Sequence, residues 1–145
     1  MKNFHRILVA TDLTPGSKAV LDEAIEMAKG NGSELLIAYA YAPPEVVEAL
    51  GKGDYEKWDA NIRSKAEGKL QELVNDARKQ GVTATPLVLS GVPYEAIAQA
   101  AEEKKADLVV MGAHARKGVP RFFLGSVASR VIPTAPCPVL TVQHA

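Results

Sequence analysis

The sequence predicts an α/β fold built on a doubly wound, five-stranded parallel sheet with helices on both faces. Five apolar runs, residues 7–10, 35–42, 86–89, 106–111 and 138–142, are short and nearly continuous rather than alternating. Such runs suit strands buried on both faces of a parallel sheet. Helical periodicity fills most of the intervals, so strand and helix alternate along the chain. Glycine and proline stand at the joints between them.

Taken in order, residues 7–10 (ILVA) form the first strand. Residues 17–29 place Val20, Leu21, Ala24, Ile25 and Ala28 on one helical stripe, which Gly30 and Gly32 end. The second strand, 35–42, leads into the one long connection, residues 42–59, with two prolines, two glycines and Trp58. That connection reads as a solvated insertion with a local helical turn, or alternatively as a flap over a site. Residues 62–80 carry Ala66, Leu70, Leu73 and Ala77 at three- and four-residue spacing, with Gly81 as the stop. After the third strand, Pro93 marks a first turn, and residues 94–105 repeat the pattern with Ile97, Ala98 and Ala101. The fourth strand is followed by a glycine- and cation-rich stretch, 112–126, then a short helix, 126–132, closed by Pro133. The fifth strand completes the chain, which reads as one domain over residues 1–145.

Seventeen Lys plus Arg balance seventeen Asp plus Glu. This neutrality argues against a nucleic-acid-coating protein, which carries a basic excess. The single cysteine, Cys137, lies between Pro136 and Pro138 at the start of an apolar run and reads as a small buried hydrophobe. The N-terminal apolar run stops before Asp12, too short for a secretory signal. No stretch approaches the roughly 20 apolar residues of a membrane span. The expectation is a soluble cytoplasmic protein without nucleic-acid or membrane partners.

In a doubly wound sheet, ligands bind beyond the carboxyl ends of the strands, where strand order reverses. With the first strand central, Asp12 and the stretch GAHARKGVPRFFLGS (112–126) face that crevice. The stretch has three glycines, His114, Arg116, Lys117 and Arg121, and no acid. Glycines let backbone N–H groups approach a phosphate, and the following helix offers its positive N-terminal end at Gly125 and Ser126. An anion loop and an ordinary strand-to-helix connection both fit this composition. Neither the P-loop pattern nor the dinucleotide fingerprint is present: Gly30-Asn31-Gly32 closes a helix, and Leu35 stands where the third glycine belongs. Asp12 suits contact with ribose or adenine, a metal-bound water or phosphoacceptance, or it caps the next segment. A Ser126–His114–Asp12 triad lacks the strained nucleophile elbow. No spacing suggests a protein-built metal site.

RILVATDLTPGSKAVLDEAI at the start and ADLVVMGAHARKGVPRFFLGSVASRVIPTAPCPVLTV at the end resemble the universal stress protein family. The resemblance covers essentially the whole chain and implies the sheet order 3-2-1-4-5. Many members bind ATP through Gly-x-x-Gly-x9-Gly-Ser/Thr. Gly112, Gly125 and Ser126 fill that pattern, but its second glycine is Ala115 here. If that position needs positive φ or close phosphate approach, alanine costs about 1 kcal/mol, or roughly five- to tenfold in affinity.

The resemblance implies that Asp12 contacts adenosine and that the backbone of Ala40 recognises adenine, with Thr11 and Met111 packed nearby. Gly112, His114 and Ala115 would cradle the phosphates from one side, near the cation Arg116. Gly125, Ser126 and Val127 would do so from the other. Mg2+ or Mn2+ comes with the phosphates, and AMP is a second candidate nucleotide. A homodimer through the C-terminal strand, at Val139, Thr141 and Gln143, is also implied, along with an unidentified protein partner. The implied function is stress signalling with at most slow ATP hydrolysis. A nucleotide hydrolase using Asp12 or His114 to orient water, and a dimeric interaction module without nucleotide, are the alternatives.

Overall fold

The computed structural model describes residues 3–114 and 126–144. Strands β1 (Arg6–Ala10), β2 (Glu34–Tyr41), β3 (Ala84–Ser90), β4 (Leu108–His114) and β5 (Val139–His144) form one parallel sheet in the order β3-β2-β1-β4-β5. The helices are α1 (Lys18–Asn31), α2 (Glu45–Glu48), α3 (Lys52–Lys79), α4 (Pro93–Glu103) and α5 (Ser126–Thr134), and a 3-10 turn, Pro15–Ser17, precedes α1.

Side-chain alternation along the strands sorts the core into two layers. Ile7, Val9, Leu35, Ile37 and Val110 face α1 and α3, where they meet Leu21, Ile25, Leu70 and Val74. Leu8, Leu36, Ala38, Val109 and Met111 face α4 and α5, where they meet Ile97, Ala101, Ala128 and Val131. Three successive residues of β1, Ile7, Leu8 and Val9, are each 0% exposed. This is the physical content of a continuous apolar run, and each such side chain stabilises the fold by about 1.5–3 kcal/mol. Gly32 caps α1 in the left-handed region at φ 65°, the conformation that glycine adopts without a Cβ clash.

Three boundaries differ from the sequence expectation. Helix α3 begins at Lys52, ten residues before Ile62, and with α2 it makes most of the expected connection helical. Trp58 and Arg63 continue the α3 stripe and dock on the ring of Tyr41, and Tyr55 packs on Trp58; aromatic and polar anchors hide that periodicity from an aliphatic count. Strand β4 runs through Gly112 to His114 because β5 extends alongside it, pairing Gly112 with Val142 and His114 with His144. Gly112 is therefore a strand residue and not the start of a loop. Helix α5 continues through Pro133 to Thr134. Its last turn is held by Ala135 N–H donating to Val131 O (2.8 Å) and by the Thr134 hydroxyl donating to Arg130 O (2.8 Å).

Candidate functional site

The chain crosses from β1 to β2 on one side and returns from β3 to β4 on the other, so strand order reverses between β1 and β4. The crevice of a doubly wound sheet opens there, beyond the carboxyl ends of the strands. Its first wall is the turn after β1. Thr11 is 8% exposed, and its N–H and hydroxyl are both engaged. Its N–H donates to Ala38 O (2.9 Å), and its hydroxyl donates to Ser17 Oγ (2.9 Å) while accepting the N–H of Leu13 (3.0 Å). Ser17 Oγ donates onward to Thr14 O (2.7 Å).

These bonds fold the turn so tightly that Leu13 takes φ +62°, which costs a non-glycine residue about 1–2 kcal/mol. Leu13 sits beside Leu21, Ile25 and Leu73 on the lining of a 690 Å³ groove between α1 and α3. Asp12 is exposed beside it, and its Oδ1 accepts both the N–H (3.0 Å) and the hydroxyl of Thr14. The capping role is thus present, and the carboxylate is held in a fixed direction at the crevice.

The second wall is the end of β2. Glu34 N–H donates to His5 O and Ala38 O accepts from Thr11, both at 2.9 Å. Even-numbered residues of β2 therefore direct their peptide groups at β1 and odd-numbered ones at β3. Strand β1 ends level with Ala38, so the N–H and C=O of Ala40 face the space beyond it. The side chains of Ala10, Ala40 and Met111 lie on the α4/α5 layer. Two alanines at the strand ends leave room that larger side chains would fill, while Met111, 4% exposed, floors the site from within the core.

On the other side, Gly112 is half-buried in β4, and the backbone of His114 closes the strand. Ser126 and Val127 form the first turn of α5, both exposed. Because α5 follows β4, its N-terminal end lies at the same edge of the sheet, bringing its first-turn N–H groups and positive dipole end there. Ala115, Arg116, Gly125 and the side chain of His114 lie outside the described residues. Among the described residues no group of three or more His, Cys, Asp or Glu is placed to hold a metal ion, and no helix is long and apolar enough to cross a membrane.

Sequence reasoning missed a cluster at the tip of β2. The Tyr41 hydroxyl donates to Asp59 Oδ1, Trp58 meets its ring edge-on at 6.0 Å, and the Arg63 guanidinium lies 5.9 Å from the ring centroid. Burial raises the Tyr41 pKa above its ordinary 10.0, the hydrogen bond and charge of Asp59 add to this, and Arg63 opposes it. The spacing of Tyr55, Trp58, Asp59, Ile62, Arg63 and Ala66 was the available signal.

Fold and crevice together define a class: doubly wound α/β proteins that offer a ligand site at a topological switch point. A model of the universal stress protein family matches residues 3–143, and the chain belongs to that family. A universal stress protein of Thermus aquaticus is 38% identical over 144 residues, covering 97% of this chain and 99% of that protein. Universal stress protein MJ0531 of Methanocaldococcus jannaschii is 34% identical over 140 residues, covering 97% and 82%. Among solved structures, hypothetical protein MJ0577 shares the fold with a TM-score of 0.85 at 20% identity, covering 99% of both chains. A universal stress protein in complex with cAMP aligns with a TM-score of 0.72 at 23% identity, covering 99% and 100%. The universal stress protein from Archaeoglobus fulgidus in complex with dAMP aligns at 0.69 and 24%, covering 97% and 98%.

Proposed function

We propose that this chain is an adenine-nucleotide-binding stress-response protein that signals as a cytoplasmic homodimer, with ATP as its nucleotide. The observation that carries the reading is the Ala40 peptide pair, facing a crevice whose opposite edge is the N-terminus of α5. A neighbouring N–H donor and C=O acceptor suit the acceptor and donor on the adenine edge. The Asp12 carboxylate suits ribose hydroxyls. Gly112 has no Cβ to obstruct a phosphate, and the first turn of α5, at Ser126 and Val127, supplies N–H donors and a positive dipole end. The relatives in complex with cAMP and dAMP support the adenine class. Mg2+ or Mn2+ is proposed to enter on the phosphates. Asp12, which Thr14 orients through Oδ1, is assigned to binding, with at most slow hydrolysis as part of the proposal.

Ala115, standing where the family pattern has its second glycine, favours a second reading: an interaction module of the same fold that takes no nucleotide. Equilibrium dialysis with ATP, AMP and cAMP in the presence of Mg2+ separates the two. Saturable binding is expected, and no retention at millimolar nucleotide sinks the first reading.

The dimer is proposed along β5. Pro138 O accepts from Val109 N–H at 3.0 Å, so even-numbered residues of β5 bond to β4. The peptide groups of Val139, Thr141 and Gln143 then point to the outer edge of the sheet, which a second copy would cover.

A further inference from the structure

We infer that Tyr41, latched to Asp59, is a positioning residue for nucleotide recognition, because it fixes the peptide whose carbonyl faces the crevice. The inference rests on the proposed adenine site and names a residue that controls it without touching ligand. The C=O of Ala40 and the N–H of Tyr41 belong to one peptide plane. By the alternation of β2, the carbonyl faces the crevice and the N–H faces β3. Whatever sets the orientation of Tyr41 therefore sets the direction of the Ala40 carbonyl, since the peptide between them is planar.

Tyr41 is the last residue of β2, where β1 no longer supports the strand on its other side. It is held from three directions instead. Its carbonyl accepts Gly91 N–H at 2.9 Å. Its ring is 6.2 Å from that of Tyr39, in stacked geometry, and meets Trp58 edge-on. Its hydroxyl donates to Asp59, while Arg63 lies over the ring and reaches Val88 O at 3.4 Å. The residue is 6% exposed, and its buried phenol donates to Asp59 while Ser90 also bonds to it. Residues 52–58, about two turns of α3, lie N-terminal to Asp59. They are tied to the strand tip through the same contacts, which makes Trp58, the sole tryptophan, a reporter of the latch.

Two backbone groups read adenine only if their direction is fixed. Adenine presents a donor and an acceptor in the opposite order to guanine, so a carbonyl free to tilt loses affinity for ATP and loses its preference over GTP. The loss is one of preorganisation.

The test uses Tyr41→Phe, which keeps the ring and removes only the donor, with Asp59→Ala and Asp59→Asn in the full chain. ATP and GTP affinities are measured by calorimetry, together with Trp58 emission. Tyr41→Phe and Asp59→Ala are expected to bind ATP about three- to tenfold more weakly and to narrow the ATP-to-GTP ratio. Asp59→Asn, which keeps an acceptor oxygen, is expected to stay within about twofold of wild type. ATP is expected to change Trp58 emission in the wild type and less so in Tyr41→Phe. Unchanged ATP affinity in Tyr41→Phe, or an equal loss for both nucleotides, overturns the inference. A wild-type chain that binds no nucleotide refutes the proposed function itself, a result seen before any variant is compared.

Discussion

Removing the hydroxyl of Ser17 tests whether the turn carrying Asp12 is built as described. Ser17 precedes α1 with helical backbone angles (φ −74°, ψ −9°) and makes no side-chain capping bond. Ser17→Ala therefore leaves helix initiation alone and acts on the hydroxyl network. Thr14 O keeps the backbone N–H of Ser17 at 3.0 Å, so that carbonyl is not orphaned. The Thr11 hydroxyl is different. It is buried and donates to Ser17 Oγ at 2.9 Å, and alanine leaves that donor without a partner. A stranded buried donor costs about 1–3 kcal/mol. For a chain of this size that is a fall in Tm of about 2–4 °C per kcal/mol. With a urea m-value of about 2 kcal/mol/M, the midpoint falls by about 0.5–1.5 M. Urea unfolding of wild type, Ser17→Ala, Thr11→Val and the double variant gives the coupling directly. In the Thr11→Val background there is no hydroxyl to strand, so Ser17→Ala should cost less than about 0.5 kcal/mol. A Ser17→Ala midpoint equal to wild type, or the same cost in both backgrounds, refutes the reasoning.

The raised pKa of Tyr41 has a consequence at high pH. The fold favours the protonated phenol, so this contribution is complete below the unfolded value of 10.0 and declines as pH rises through the higher folded value. Urea midpoints should fall more steeply above about pH 10 in wild type than in Tyr41→Phe, which has no phenol there to ionise; equal slopes contradict the prediction. Ala115→Gly should tighten ATP binding about five- to tenfold in equilibrium dialysis, and unchanged affinity would show that the second glycine is dispensable here. Thr141→Pro removes an N–H on the outer side of β5 without breaking a bond to β4. Sedimentation should show monomers at concentrations where wild type is dimeric, with far-ultraviolet circular dichroism preserved; a dimer that persists places the interface elsewhere.

The strands were legible in the sequence because burial on both faces leaves a local signature. Ile7, Leu8 and Val9 must all be apolar if each meets a helix layer, and all three are fully buried in the sheet. Boundaries were less legible because they depend on partners. Nothing within Gly112, Ala113 and His114 says that they continue a strand; β5 extends alongside them and supplies the ladder. Pro133 reads locally as a helix stop, yet the Thr134 hydroxyl and the Ala135 N–H sustain one further turn. The start of α3 was hidden because its stripe changes from aliphatic to aromatic and charged at Tyr55, Trp58, Asp59 and Arg63.

The site divides along the same line. Asp12 was singled out because strand order alone puts the segment that follows a central strand at the switch point. What fixes its direction was not found: the Thr11–Ser17–Thr14 bonds and the positive φ of Leu13 arise only when the turn closes on itself. Ala40 is more telling. Its side chain carries no information, and its position acquires meaning only through register, since β1 stops level with Ala38 and exposes the next β1-facing peptide groups of β2. A strand tip unsupported on one side needs bracing on the other, and the tyrosine that follows Ala40 is braced by Asp59, Trp58 and Arg63. Two adjacent residues thus divide the work: Ala40 presents the backbone, and Tyr41 holds it in place.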